Sequence, residues 1–311
     1  MATAINDFVQ GIVMLVGIVA VIASVLNGQG GFMQAVFKLS EIPSDIPVTM
    51  GQQGAFTSFF GPDPLNLLGV VILTSLGTWG LPQMVSKFYA IRDEKAVKTG
   101  TVISTLFAIV VSGGCYFLGG FARLFDSDAI RNGQGGIVYD AIIPTMLNSL
   151  SDILIGIVIV LVLSASMSTL SSLVLTSSST LTLDFLKGNI IKKMQLLTMR
   201  IFLVFFVVIS VVIALDPPTF IAQLMGISWG ALAGAFLAPF MYGLYWKGVT
   251  KSAVWASFIC GVGITVSNMF FHFIASPINA GAIAMVAGLI VVPVVSLITP
   301  KLSGDKVNEI L

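Results

Sequence analysis

Long apolar runs of close to 20 residues alternate with polar connections along this 311-residue chain. A helix needs about 20 apolar residues to cross a hydrocarbon core of ~30 Å. The runs lack the ten-residue alternation of membrane β-strands. The pattern therefore predicts an all-α polytopic membrane protein with about eight transmembrane helices, at 8–27, 66–86, 101–121, 153–183, 199–215, 222–245, 252–271 and 279–299.

The connections between these spans differ in charge. The three basic residues Lys38, Arg123 and Arg131 lie in connections that carry half of the 14 acids. The other twelve of the 15 Lys and Arg residues lie in the alternate connections, at 87–100, 184–200, 246–251 and in the tail after 299. Basic connections remain on the cytoplasmic side of a membrane. The charge pattern predicts a multi-pass protein of the plasma membrane with both termini cytoplasmic.

Composition narrows the function classes. Charged residues make up 9% of the chain and hydrophobic residues 56%, whereas a soluble domain has about 25% charged residues. The net charge of +1 gives no basic surface for nucleic acid. No paired acids and no His or Cys cluster occur at membrane depth, and Asp7 and Asp184 border spans on the predicted cytoplasmic side. We expect neither an enzyme nor a charge-relay pump.

The span at 66–86 contains a helix-breaking segment, "LTSLGTWGLPQMVSKF". Pro82 lacks a backbone donor and clashes with the preceding turn, and Gly77 and Gly80 add flexibility before it. The freed carbonyls need partners in protein, water or a ligand. A simple kink without a ligand is one interpretation. The other is a substrate site, since many secondary transporters bind substrate at broken helices, with candidate contacts from Thr74, Thr78, Trp79 and Gln83.

The span at 153–183 is rich in hydroxyls: twelve of the nineteen residues from Ser164 to Thr182 are Ser or Thr. Small residues of this kind allow close helix packing, and their hydroxyls can bond to their own helix. A cation site is the other interpretation, since hard cations prefer oxygen ligands. The carbonyl of Ala165 and the hydroxyls of Ser168 and Thr169 have the spacing to converge on one sodium ion.

Four separated motifs resemble the sodium:solute symporter family. "AINDFVQ" (4–10) resembles its Thr-Asp-x-x-Gln helix start, with Asn6 in place of Thr. "GLPQMVSKFYAIRDEKAVKTG" (80–100) resembles its Gly-x-Pro-x-x-x-x-Arg-Phe segment, with Lys87 in place of Arg. "SASMSTLSSLVLTSSSTLTLDFL" (164–186) resembles its Met-Ser-Thr helix, and "GISWGALAGAF" (226–236) resembles a later Gly- and Ala-rich helix. The resemblance covers essentially the whole chain.

This resemblance implies the leucine-transporter-type fold, whose core is two inverted five-helix repeats. It also implies that the sodium site uses the Ala165 carbonyl and the Ser168 and Thr169 hydroxyls, completed by a broken first core helix. The chain resembles core helices five to ten (1–245) followed by two more helices (252–299). We therefore expect one transmembrane domain over 1–311 with a partial inverted-repeat fold, which is inactive without the missing N-terminal half of the symporter.

The substrate follows from the resemblance only as a class. Proline-type members have aromatic residues four and eight residues before the helix-breaking proline, where this chain has Thr78 and Thr74. Proline is therefore disfavoured, and the expected solute is an amino acid, a vitamin-like acid, a monocarboxylate or a sugar. Two other functions stay open: a non-transporting scaffold, sensor or inactive fragment on the same fold, and a channel, which the absence of a charge ring or filter motif disfavours.

Overall fold

A computed structural model describes residues 2–88, 91, 93–131, 137–148, 150–186 and 194–300. The described part contains no β-strand, in agreement with the predicted all-α polytopic fold. The connection 187–193 and the tail from 301, which entered the charge pattern, lie outside the described residues. The α-helices are α1 (Ala2–Gly28), α2 (Phe32–Glu41), α3 (Pro64–Gly77), α4 (Pro82–Phe88), α5 (Glu94–Gly120), α6 (Tyr139–Leu147), α7 (Asp152–Ser179), α8 (Gln195–Leu215), α9 (Ile221–Tyr245), α10 (Lys251–Phe271) and α11 (Pro277–Ile298).

Seven of the described helices are long and apolar enough to cross a membrane: α1, α5, α7, α8, α9, α10 and α11. They coincide with seven of the eight predicted spans. The eighth, at 66–86, is not one continuous helix, because α3 ends at Gly77 and α4 begins at Pro82. The interruption lies at the helix-breaking segment named above, directly before Pro82, and its physical cause lies in the backbone between the two helices.

The chain divides into two compact units, and the first contains α1, α2, α5, α6, α7 and α8. Helix α1 packs against α5 and α7. Their buried cluster consists of Val21 and Val25 of α1, Leu118 of α5, and Met146 and Leu150. A second cluster, around Ala35, Leu39 and Phe121, holds α2 against the end of α5. These contacts fix the position of α7, on which the sodium candidates lie.

The second unit contains α3, α4, α9, α10 and α11. Leu73 of α3, Ala233 and Leu237 of α9, and Met285 of α11 form its central buried cluster. Asp63 caps the start of α3: its carboxylate accepts a hydrogen bond from the Asn66 N–H (3.1 Å), and Pro64 follows at the first helical position. Both features start helices. This unit surrounds the break between α3 and α4. That the two units act as one transmembrane domain stays a prediction.

Candidate substrate and sodium sites

The break between α3 and α4 has a defined backbone path. A short 3-10 helix, Thr78–Gly80, follows α3 directly, and Leu81 then adopts an extended conformation (φ −87°, ψ 118°). Pro82 begins α4, where its missing N–H is not needed. Leu81 is buried, and its carbonyl accepts the N–H groups of Met84 (2.9 Å) and Val85 (3.2 Å). The chain therefore leaves the helix for one residue and re-enters it at the proline.

The two glycines of the break are required by close packing. Gly77 has a helical backbone (φ −55°, ψ −42°). A Cβ at position 77 would lie 3.0 Å from the Trp229 ring and 3.3 Å from the Met285 methyl group. At position 80 it would lie 2.7 Å from Cα of Ala233. The glycines thus let the break lie directly against α9 and α11.

The four candidate substrate contacts lie on both sides of this break. The hydroxyl of Thr74 donates to the Val70 carbonyl (2.8 Å), and that of Thr78 donates to the Ser75 carbonyl (3.3 Å). Each hydroxyl keeps lone pairs and can still accept a hydrogen bond. Trp79 is 56% exposed, and Gln83 is half-buried and has an interaction partner. These four side chains combine acceptors, an amide and an exposed aromatic ring near one interruption.

Most polar side chains of α7 for which the structure gives partners bond to their own helix. The acceptors are carbonyls three or four residues earlier, at 2.7–3.0 Å for the shortest bond of each donor. Such bonds satisfy a hydroxyl in an apolar environment without a ligand. The donors are Ser171, Ser172, Thr176, Ser178 and Ser179. For these five, the packing interpretation accounts for the hydroxyl.

The sodium candidates lie on α7 in the first unit, one turn before these residues. Ala165 is half-buried and Thr169 is exposed. The side chain of Ser168 lies outside the described part, as do those of Asn6 and Lys87. The backbone is helical throughout 165–169, so the i, i+3 and i+4 spacing of the three residues holds. Ser172 donates a hydrogen bond to the Thr169 carbonyl (2.9 Å).

Three buried oxygens were not predicted as candidates from the sequence. Among the described residues, Oδ1 of Asn66, Oδ1 of Asn279 and Oγ1 of Thr182 are buried without a hydrogen-bond partner. Nothing in the local sequence separates Thr182 from its neighbouring hydroxyls. The two asparagines share a signal that could have been read, since each follows a proline at the first position of its helix by two residues. No cluster of three or more His, Cys, Asp or Glu occurs in the part described.

Comparisons with known proteins place these features in a family. The model of the sodium:solute symporter family matches residues 1–261. The sodium/pantothenate symporter of Haemophilus influenzae is 27% identical over 300 residues, which cover 92% of this chain and 59% of that protein. The Escherichia coli sodium/pantothenate symporter is 28% identical over 299 residues, with the same coverage. The Staphylococcus aureus sodium/proline symporter is 24% identical over 327 residues, covering 97% of this chain and 58% of its own length.

The chain thus spans less than two thirds of the length of these relatives. The relatives are transporters and not enzymes. The match includes the break, the hydroxyl-rich helix α7 and most of α10. This polytopic membrane protein belongs to the sodium:solute symporter family.

Proposed function

We propose that this chain supplies one side of the sodium site and part of the substrate cavity of a symporter. The complete transporter takes up a small organic solute, driven by sodium, through alternating access. The family match over residues 1–261 carries this proposal. The protein lies in the plasma membrane with both termini cytoplasmic, as its basic connections favour.

Sodium binds to the Ala165 carbonyl and to the hydroxyls of Ser168 and Thr169. Neutral oxygens suffice for a monovalent ion, so this site needs no buried carboxylate. The helical backbone at 165–169 and the exposure of Thr169 support this assignment. The remaining ligands come from the broken first core helix of the full transporter.

The solute binds at the break between α3 and α4, with Thr74, Thr78, Trp79 and Gln83 as contacts. From Pro64 to Val85 no residue is acidic or basic. Recognition here therefore relies on neutral hydrogen bonds and on the Trp79 ring. Such contacts suit an amino acid, a vitamin-like acid, a monocarboxylate or a sugar. Pantothenate is the first solute to test, because two of the relatives are named for it.

Transport requires helices equivalent to those of the relatives that lie outside the matched region. They can be on the same polypeptide as these 311 residues or on a second one. The exposed Thr169 is costly in lipid, since an unsatisfied polar group costs several kcal/mol there. A proteoliposome experiment tests this requirement. The 311 residues are reconstituted alone, or together with the non-matching helices of the Escherichia coli sodium/pantothenate symporter, and labelled pantothenate uptake is measured under a sodium gradient.

We expect sodium-dependent uptake from the combination and none from the 311 residues alone. Uptake by the 311 residues alone would contradict the requirement for further helices. A combination that assembles stably but transports none of the four solute classes would favour the alternative of a non-transporting scaffold or sensor.

The sodium assignment makes a separate prediction. In the combined transporter, Ser168→Ala with Thr169→Ala should raise the sodium concentration for half-maximal uptake at least about tenfold, or roughly 1.4 kcal/mol. Thr176→Ala is the matched control, because its hydroxyl already donates to the Ser172 carbonyl (2.8 Å). An unchanged sodium dependence in the double variant would refute the assignment.

A further inference from the structure

Helix α7 does not end as an ordinary α-helix. From Thr180 to Phe185 it continues as a π-helical turn, which closes when the Leu186 N–H donates to the Leu181 carbonyl (3.1 Å). This turn packs against α8. π-helical turns are rare and occur frequently at functional sites.

Thr182 lies in the middle of this turn and differs from the other hydroxyls of the helix. It is 1% exposed, and its Oγ1 has no hydrogen-bond partner among the described residues. Ser178, which is equally buried, donates to the Val174 carbonyl (2.7 Å). Leaving a buried hydroxyl unpaired costs about 1–3 kcal/mol. The position of Thr182 therefore suggests a partner outside the protein.

The electrostatics of the helix end identify the kind of partner. The last carbonyls of a helix lack intrahelical donors, and this end of the helix dipole is negative. Asp184, which is exposed, adds negative charge two residues away, while Lys187, five residues from Thr182 in the sequence, belongs to the basic connection that follows. Residues two apart do not share a helix face, so Asp184 attracts a cation without ligating it at Thr182. The other two unpartnered oxygens, of Asn66 and Asn279, lie in the first turns of α3 and α11, where the dipole repels cations.

We propose that the Thr182 hydroxyl and carbonyls of the π-helical turn form a second sodium site, at the end of α7 away from Ala165. This inference rests on the proposed sodium-coupled function, which supplies the ion. The two positions lie on the same helix, 17 residues apart in sequence. With the predicted orientation, the second site faces the cytoplasm and receives sodium as it leaves the transporter.

Thermal unfolding of the purified 311-residue chain tests the site without any transport. Each variant is melted in sodium chloride and in choline chloride at equal ionic strength. Sodium should raise the midpoint of the wild type by a few degrees, as expected for a ligand that binds the folded state. In Thr182→Val, which removes the hydroxyl but keeps the shape, most of this sodium-dependent increase should be lost.

Two further variants separate the ion from packing. Thr182→Ser keeps the hydroxyl and should retain the increase, and so should Thr176→Val, whose hydroxyl is already bonded within α7. An equal sodium-dependent increase in the wild type and Thr182→Val, or none in the wild type, would overturn the proposal. The proposal would also be overturned if the unfolding midpoint of Thr182→Val exceeded that of the wild type by the same amount in both salts. The hydroxyl would then bind no sodium.

The combined transporter gives an independent measurement. In inside-out vesicles, Thr182→Val should raise the sodium concentration for half-maximal transport about tenfold, the effect of losing one hydrogen-bonding group to a charge. In right-side-out vesicles the shift should be smaller. Equal shifts in both orientations would exclude a cytoplasmic exit site. Absence of sodium-dependent transport in the wild type would contradict the proposed function, while the melting curves would still report on Thr182.

Discussion

At the scale of single residues, the contact between Tyr242 and Leu289 shows how this membrane protein satisfies its backbone. Pro293 lies inside α11 and has no N–H, so the carbonyl of Leu289, four residues earlier, lacks its helical donor. The Tyr242 hydroxyl, on α9, donates to that carbonyl (3.1 Å). A helix-breaking residue in lipid is tolerated when a neighbouring helix supplies the missing hydrogen bond.

This pairing predicts a non-additive double-mutant cycle. Tyr242→Phe should destabilise the protein by about 1–2 kcal/mol, because the Leu289 carbonyl loses its donor. In the Pro293→Ala background the same change should cost much less, since the alanine N–H then reaches that carbonyl. Unfolding midpoints in detergent give the comparison. Tyr245→Phe is the control, because Tyr245 is 83% exposed; equal costs of Tyr242→Phe in both backgrounds would contradict the interpretation.

At the scale of helices, α9, α10 and α11 are held together by glycines that bring backbones into contact. A Cβ at Gly261 of α10 would lie 2.5 Å from the Gly234 carbonyl oxygen, and a Cβ at Gly288 of α11 would lie 2.8 Å from the same atom. Lipid offers no hydrophobic driving force for helix association, so close packing of small residues supplies much of it. Here one carbonyl of α9 is the meeting point of three helices.

The glycines of α10 allow a matched test. Gly261→Ala places its methyl group against the backbone of α9, which cannot move as a side chain can, and should destabilise the protein by about 1–3 kcal/mol. Gly263→Ala has no heavy atom within 4 Å of the new Cβ. It should be neutral or stabilising by up to about 1 kcal/mol, because alanine favours the helix. Thermal unfolding of both variants decides, and equal midpoints would exclude the close packing at Gly261.

The same glycines show what the sequence can and cannot predict. Apolar segments can be recognised because lipid forces each of them to form a helix, and the ends of seven spans were predicted to within seven residues. Gly261 and Gly263 look alike in the sequence, since their difference depends on the neighbour that α9 brings. For a similar reason Gly77 and Gly80 were interpreted as flexible, whereas they are packing positions. Helix α2 was missed, because ten residues between turn-forming segments give too short a periodic pattern.

At the scale of the whole molecule, apolar composition determines that the helices lie in lipid, whereas charge determines their orientation. Helices α7 and α8 carry many exposed large apolar side chains, among them Ile159, Val160, Val204 and Val208. Such a surface is stable only where the solvent is lipid. Apolar surface does not distinguish the two sides of the membrane, so orientation depends on the connections. The basic residues of alternate connections supply that asymmetry.

Orientation is testable with single cysteines at exposed positions. In a background with Cys115→Ala and Cys260→Ala, Met50→Cys and Phe273→Cys should react with a membrane-impermeant maleimide on intact cells. Lys95→Cys and Lys247→Cys should react only after the cells are opened, because retained basic connections place both on the cytoplasmic side. All four positions are exposed in the structure, so burial does not explain a difference in labelling. Labelling of Lys247→Cys on intact cells would show that the orientation is opposite to the predicted one. The proposed sodium site at Thr182 would then face the outside.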